Sequence, residues 1–179
     1  SYADAATAKL IASKLKDVVV GRSAHSPNDC FVEMVKSIRN VGRPGICSMA
    51  ISAVDNSLWD LQAKLLGVPL VSLFGQMRDA MPIYGSGGFT SYTNEKLQEQ
   101  LGGWVAEGMP RVKMKIGRNA AADPERVALA REAIGDEAEL FADANGGYSR
   151  KPAQEMSYIF SAMAVSWLEA PGTSADLHG

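Results

Sequence analysis

The chain has 179 residues, of which 46% are hydrophobic and 21% charged, a composition typical of a globular protein and unlike that of a disordered or collagen-like chain. Its net charge of −2, with no block of lysines or arginines, excludes the clustered cations that bind nucleic acid or an anionic membrane surface. No apolar run approaches the roughly 20 residues that cross a bilayer. We therefore expect a small-molecule partner, no nucleic acid and no membrane.

The first part of the chain, residues 1–78, is predicted to be helical. Cys30 and Cys47 lie there in apolar contexts rather than in a CxxC pair, which predicts two buried thiols in a reducing, cytoplasmic protein. The apolar spacing and the start and stop signals predict helices over residues 3–15, from an N-cap at Ser26 and a first-turn Pro27 onward, and over residues 46–66 and 70–74.

From residue 79 the pattern changes to short apolar runs that alternate with amphipathic helices, which predicts parallel strands joined by helical crossovers. The predicted strands span residues 81–86, 111–116, 140–143 and 165–169, with helices near 94–107, 123–134 and 150–163.

Two α/β architectures fit this alternation. A Rossmann fold needs G-x-G-x-x-G after the first strand, but residues 85–90 lack the third glycine. A (β/α)8 barrel needs eight units in roughly 250 residues, and four fit here. We therefore predict an α/β fold, a partial (β/α)8 TIM barrel over residues 79–179 with an unpaired edge and an open core.

Two lysines alternate with apolar residues on the second predicted strand, R-V-K-M-K-I. Alternation places Val112 and Met114 under the helices and points Lys113 and Lys115 into the barrel. Burial and the neighbouring cation would lower a lysine pKa toward that of a general base. The alternative is an edge strand with solvated lysines.

Two carboxylates follow at successive strand ends, Asp143 in F-A-D-A-N-G-G and Glu169 in W-L-E-A-P. Each alone is typical of a turn or a solvated strand end. Together, on the carboxyl-terminal rim of a barrel, they would hold one hard cation such as Mg²⁺.

In this order and spacing, K-x-K, D-x-N and W-L-E-x-P resemble the enolase superfamily, and more narrowly its mandelate racemase and muconate lactonizing enzyme branch. Residues 53–61, followed by L-G-V-P and L-F-G, are similar to helices of that family's capping domain. The resemblance implies the helical part of a capping domain over residues 1–78 and the first half of the barrel over residues 79–179.

The resemblance implies a Mg²⁺-dependent enzyme that abstracts the proton α to a carboxylate and forms an enediolate: a racemase or dehydratase of a hydroxy or sugar acid, alternatively a cycloisomerase or epimerase. It also implies a homo-oligomer. Lys115 would be the base or acid, with Lys113 tuning it, and Asp143 and Glu169 would be two of three metal ligands. The remaining implied positions, in the outer metal shell or at the substrate, are Asn145, Tyr84 and Ser86.

A third carboxylate ligand and a second acid/base, which family members carry on later strands, do not occur in the sequence. His25 and His178 lie where no catalytic histidine is expected, and we interpret both as surface residues. We therefore expect an incomplete portion of the enzyme, inactive in isolation. Two other hypotheses remain: a barrel in which Lys115 forms a Schiff base, as in aldolases, and a structural or assembly fragment without catalysis.

Overall fold

The computed structural model of the chain describes residues 3–176, and the chain divides into two compact units, residues 1–80 and 81–179. The first unit is entirely helical within the described residues. Its helices are α1 (Ala5–Leu10), α2 (Lys16–Val19), α3 (Pro27–Ser37), α4 (Ile46–Leu66) and α5 (Leu70–Leu73), with a π-helical segment, Ile11–Leu15, between α1 and α2.

The helical unit departs from the prediction at the end of the first helix and at the start of α3. The first helix continues beyond residue 15, and its π-helical segment contains Ser13, whose hydroxyl donates to the carbonyl of Lys9 at 2.8 Å. Side chains that bond back to the preceding turn in this way commonly bend helices. Ser26 does precede Pro27 at the start of α3, but its side chain makes no capping hydrogen bond, whereas its carbonyl accepts from Asp29 and Cys30.

The core of the helical unit is formed by the facing sides of the π-helical segment, α3 and α4. Both cysteines are buried, Cys30 at 1% and Cys47 at 5% exposure, which confirms the predicted core thiols. The buried members of this core are Leu15, Met34, Ile38, Cys47, Ala50 and Ile51.

The second unit contains the predicted parallel sheet, in the order β1-β2-β3-β4. Its elements are β1 (Gly85–Ser86), α6 (Asn94–Ala106), β2 (Arg111–Lys115), α7 (Asp123–Ile134), β3 (Glu139–Asp143), α8 (Arg150–Ala162) and β4 (Val165–Glu169). The α/β class with four parallel strands is confirmed. The first strand is much shorter than the predicted 81–86, since only two residues pair with β2 and Pro82 has no N–H to contribute to a ladder.

The two faces of this sheet differ as the alternation predicted. Val112, Met114 and Leu140 are completely buried against α6, α7 and α8 in one apolar core. The opposite face, which we call the open face, carries the residues of the other parity and no helix of this unit packs on it within the described residues. Its members include Tyr84, Ser86, Lys113, Lys115, Phe141, Asp143, Trp167 and Glu169. Within residues 3–176, no helix is both long and apolar enough to cross a membrane.

Candidate active site

The carboxyl ends of β2, β3 and β4 bring four charged side chains together on the open face. Lys115 pairs with Asp143 in the β2–β3 ladder, and Asp143 pairs with Glu169 in the β3–β4 ladder. Lys113 lies one pleat earlier on the same face of β2. Adjacent parallel strands thus deliver two cations and two anions to one edge of the sheet, where barrel active sites are built.

A one-residue irregularity in the β3–β4 ladder is needed for this juxtaposition. Leu140 pairs with Val165, but the next pair is Phe141 with Trp167, so Ser166 is an extra residue on β4. Without this shift Asp143 would lie opposite Leu168, and Glu169 would be displaced from it by one position. Bulges commonly re-aim side chains near active sites in this way.

Lys113 has three polar partners in the site. Its Nζ donates to Glu169 Oε2 at 2.6 Å and to the hydroxyl of Tyr84 at 3.1 Å, and it lies 3.7 Å from Asp143 Oδ2. The Tyr84 ring lies beneath the same ammonium group, 4.9 Å from Nζ to the centroid, and meets Phe141 edge-on at 5.5 Å. The side chain of Lys113 is only 6% exposed, so these partners replace most of its water.

Asp143 is the buried anion of the site, with 1% of its side chain exposed. Its Oδ2 accepts from Lys115 Nζ at 2.5 Å and from the side-chain amide of Asn145 at 3.2 Å, while Oδ1 accepts from the Asn145 backbone N–H at 2.8 Å. Asn145 holds this turn with a positive φ of 47°, a conformation that asparagine tolerates better than most residues. The D-x-N spacing therefore serves to fix the carboxylate.

These contacts set the ionisation of both buried groups. Burial lowers the pKa of Lys113, but the hydrogen bonds to Glu169 and Tyr84 and the charge of Glu169 outweigh it, so this pKa lies above its ordinary value. Burial raises the pKa of Asp143, but the hydrogen bonds from Lys115 and the Asn145 N–H and the two lysine charges outweigh it, so this pKa lies below its ordinary value. The predicted lowering of the lysine pKa is wrong for Lys113, because the carboxylate on β4 compensates its burial.

The remaining predicted positions surround this cluster less tightly. Ser86 pairs with Lys113 in the β1–β2 ladder and is exposed on the open face. Tyr84 contacts Lys113 directly, with 41% of the residue exposed. His25 is exposed in the helical unit, as expected for a surface residue, whereas His178 lies outside the described residues.

A second polar group, centred on Asp123 and not predicted from the sequence, fixes the loops that follow β2 and β3. Asp123 is 1% exposed, and its Oδ2 accepts from the Gly117 N–H at 2.9 Å and from the Tyr148 hydroxyl at 2.6 Å. This carboxylate therefore ties the segment after β2 to the segment after β3. From sequence, Asp123 before a proline at a helix start is indistinguishable from an ordinary first-turn acid, so no local signal identified it.

The chemistry of a divalent cation site is present in part. Asp143 and Glu169 offer carboxylate oxygens, the ligands that Mg²⁺ prefers, and both lie within 4 Å of the same Lys113 nitrogen. Residues 3–176 contain no group of three His, Cys, Asp or Glu side chains suitably placed to hold a metal ion. The described residues thus fit such a cation as two of its ligands.

Comparison with known proteins gives two family matches that together span most of the chain. Residues 2–75 match the mandelate racemase / muconate lactonizing enzyme N-terminal domain, and residues 96–179 match the enolase C-terminal domain-like family. The L-talarate/galactarate dehydratase of Salmonella typhimurium is 32% identical over all of this chain and 46% of its own length. Other relatives are a cycloisomerase and a dipeptide epimerase.

Solved structures resemble both the fold and the sequence. A mandelate racemase/muconate lactonizing enzyme-like protein from Rubrobacter xylanophilus has a TM-score of 0.89 and 52% identity, covering 97% of this chain and 48% of that one. A racemase from Streptomyces coelicolor with bound magnesium has a TM-score of 0.86 and 31% identity, covering 97% and 49%. A solved dehydratase carries Mg and L-glucarate. The chain spans about half the length of these relatives.

Proposed function

This chain belongs to the mandelate racemase/muconate lactonizing enzyme family of the enolase superfamily, and we propose that it supplies part of a Mg²⁺-dependent site that removes the proton α to a carboxylate. The observation that carries the proposal is the cluster of Lys113, Lys115, Asp143 and Glu169 at one end of the sheet. The proposed substrate is a hydroxy or sugar acid, and the reaction is racemisation or dehydration, with cycloisomerisation or epimerisation as the alternatives.

Charge balance supports an enediolate intermediate. With both lysines as ammonium groups, the two lysines and the two carboxylates sum to zero, so a bound divalent cation would give the site two positive charges. A substrate carboxylate that loses its α proton becomes an enediolate with two negative charges. The cation, held by Asp143 and Glu169, would stabilise this developing charge as a Lewis acid. As the proton acceptor, Lys115 must start as the neutral amine, and it becomes an ammonium group when it takes the α proton, so the site would gain its second positive charge together with the second negative charge of the enediolate.

The lysines have separable roles in this scheme. Lys115, at the carboxyl end of β2 with 15% of its side chain exposed, is the more accessible of the two lysines and is the proposed proton acceptor when neutral or proton donor when charged. Lys113, one pleat deeper and pinned by Glu169 and Tyr84, is the proposed fixed charge that neutralises the substrate carboxylate. Asn145 holds Asp143 in place, and Ser86 and Tyr84 border the substrate side of the open face.

The test is solvent-deuterium exchange at the α carbon of hydroxy and sugar acids, followed by NMR. The assay uses the polypeptide purified from the organism that produces it. The intact mass of that polypeptide is first compared with the 19.1 kDa of this sequence. We expect Mg²⁺-dependent exchange that Lys115→Met and Asp143→Asn abolish and that Lys64→Met, a change to an exposed lysine, leaves unchanged. Exchange without metal, or exchange that survives Asp143→Asn, would contradict the proposal.

For the 179-residue chain alone we propose weak metal binding and no turnover. Two carboxylates leave most of an octahedral Mg²⁺ shell to water, and β4 leaves its outer edge without a neighbouring strand among the described residues. A Mg²⁺ titration by calorimetry measures this directly. Tight binding by a monodisperse sample of this chain would refute the proposal.

A further inference from the structure

The two carboxylates that would hold a divalent cation are already occupied by ammonium groups. Lys115 Nζ lies 2.5 Å from Asp143 Oδ2, and Lys113 Nζ lies 2.6 Å from Glu169 Oε2. Lys113 is also 3.7 Å from the same Asp143 oxygen. A cation that used these oxygens would therefore meet two positive charges at contact distance.

Burial explains why these pairs form. The side chains of Asp143 and Lys113 are 1% and 6% exposed, and a charge removed from water to this extent is stable only beside an opposite charge. The lysines meet that requirement for the carboxylates without any added ion, and the cluster as a whole is neutral. The same arrangement leaves little unbalanced positive charge for an anionic ligand.

We propose that Lys113 and Lys115 are internal counter-ions of the metal-free site, which a divalent cation displaces from Asp143 and Glu169 and thereby frees to bind an anion. This inference rests on the proposed function, which places the cation on these two carboxylates. By linkage, each lysine–carboxylate pair weakens cation binding by the same factor by which the cation weakens the pair. The order of binding follows: the cation first and the carboxylate ligand second.

Tyr84 is the positioning residue in this exchange. Its hydroxyl, a neutral group, accepts from Lys113 Nζ at 3.1 Å, and its ring lies under the same ammonium group. Both contacts are independent of the carboxylates. When Glu169 turns to a cation, Tyr84 can retain Lys113 beside the site, whereas Lys115 has the greater freedom to move toward a ligand.

The experiment measures Mn²⁺ binding to the 179-residue chain, with free Mn²⁺ followed by electron paramagnetic resonance. Lys113→Met and Lys115→Met each remove one competing charge and keep an unbranched side chain of similar length. We expect each variant to bind Mn²⁺ at least about tenfold more tightly than the unchanged chain, because each removes a unit positive charge that competes with the cation for the same carboxylate oxygens. Asp143→Asn should abolish this binding.

Lys64→Met is the matched control, because Lys64 pairs with Asp60 at 2.6 Å on an exposed helix face and its removal changes the net charge equally. We expect it to change Mn²⁺ affinity less than twofold. Circular dichroism checks the fold of each variant, and Lys115→Met, at the more exposed of the two sites, carries the test if Lys113→Met does not fold.

The outcomes separate the two proposals. Binding that Asp143→Asn abolishes but that the lysine variants leave unchanged or weaken would overturn the counter-ion proposal and leave the metal site standing. Binding that does not respond to Asp143→Asn or Glu169→Gln would overturn the metal site itself. Tighter binding in both lysine variants, with no change in Lys64→Met, would establish the exchange.

Discussion

Replacing Asp143 with asparagine removes the anion that lies between two buried ammonium groups. At an effective dielectric constant of about 20, a unit charge 2.5 Å away contributes about 7 kcal/mol of attraction and one 3.7 Å away about 4 kcal/mol. Desolvation cancels much of this in the intact site. The variant loses the attraction but leaves Lys113 and Lys115 desolvated, so we expect it to lower the free energy of unfolding by about 3–5 kcal/mol.

Urea denaturation measures the coupling energy between Asp143 and Lys115 when four chains are compared: the unchanged chain, Asp143→Asn, Lys115→Met and the double variant. Because Lys115→Met removes one of the stranded cations, the double variant should be more stable than the sum of the single changes predicts, by about 2 kcal/mol. The same ladder supplies a control in Arg111 and Glu139, a register pair that is also ion-paired, at 2.8 Å, but 34% and 46% exposed.

For the Arg111–Glu139 pair we expect a coupling below about 1 kcal/mol, since exposed ion pairs contribute little. We therefore expect a large difference in coupling energy between two ion pairs on the same two strands. If the two cycles give equal coupling energies, burial does not determine the strength of the Lys115–Asp143 pair, and the account of this site is wrong.

Three further predictions concern the loops beneath the site. Tyr148→Phe removes a 2.6 Å hydrogen bond to the buried Asp123 and should destabilise the chain by about 1–3 kcal/mol in urea, whereas Tyr158→Phe, at a residue 78% exposed, should have no effect. Burial and the hydrogen bond to Asp123 raise the pKa of Tyr148 far above its ordinary 10.0, so the stability that this residue confers is complete below pH 10 and is lost as the pH rises. The difference in free energy of unfolding between Tyr148→Phe and the unchanged chain should therefore narrow above pH 10, and a constant difference would refute this. Gly117→Ala should destabilise more than Gly108→Ala, because both glycines have φ near +90° but only at Gly117 would a Cβ lie 2.7 Å from a carbonyl oxygen; equal unfolding midpoints would contradict it.

Local alternation was sufficient to assign Lys113 and Lys115 to one face of β2. On β2, residues of one parity are apolar and buried under helices, and those of the other parity are basic, as the sequence of that strand predicts. The same reasoning placed Asp143 and Glu169 at strand ends. Parity is a property of the strand alone, so it needs no knowledge of the neighbouring strands.

Contacts between strands could not be predicted in this way. The pKa of Lys113 depends on Glu169, which lies 56 residues later in the chain and on another strand, so the alternation within β2 carries no information about it. Asp123 was missed for the same reason, since its partners Gly117 and Tyr148 belong to two different loops. The pairing of β1 was overestimated because apolar residues before Gly85 fit a strand but have no ladder partner.

The extra residue on β4 shows how a contact between strands that the sequence does not predict determines the charges of the site. Regular pairing continued from Leu140 and Val165 would place Leu168, not Glu169, opposite Asp143, and side chains one position apart on a strand point to opposite faces. The apolar pattern of β4 fits either register, so the sequence alone does not distinguish them. Only the irregularity at Ser166 brings Glu169 to the face that carries Lys113 and within 2.6 Å of its nitrogen. The neutral charge cluster, and every property derived from it, therefore depends on one residue of strand register that the sequence pattern does not encode.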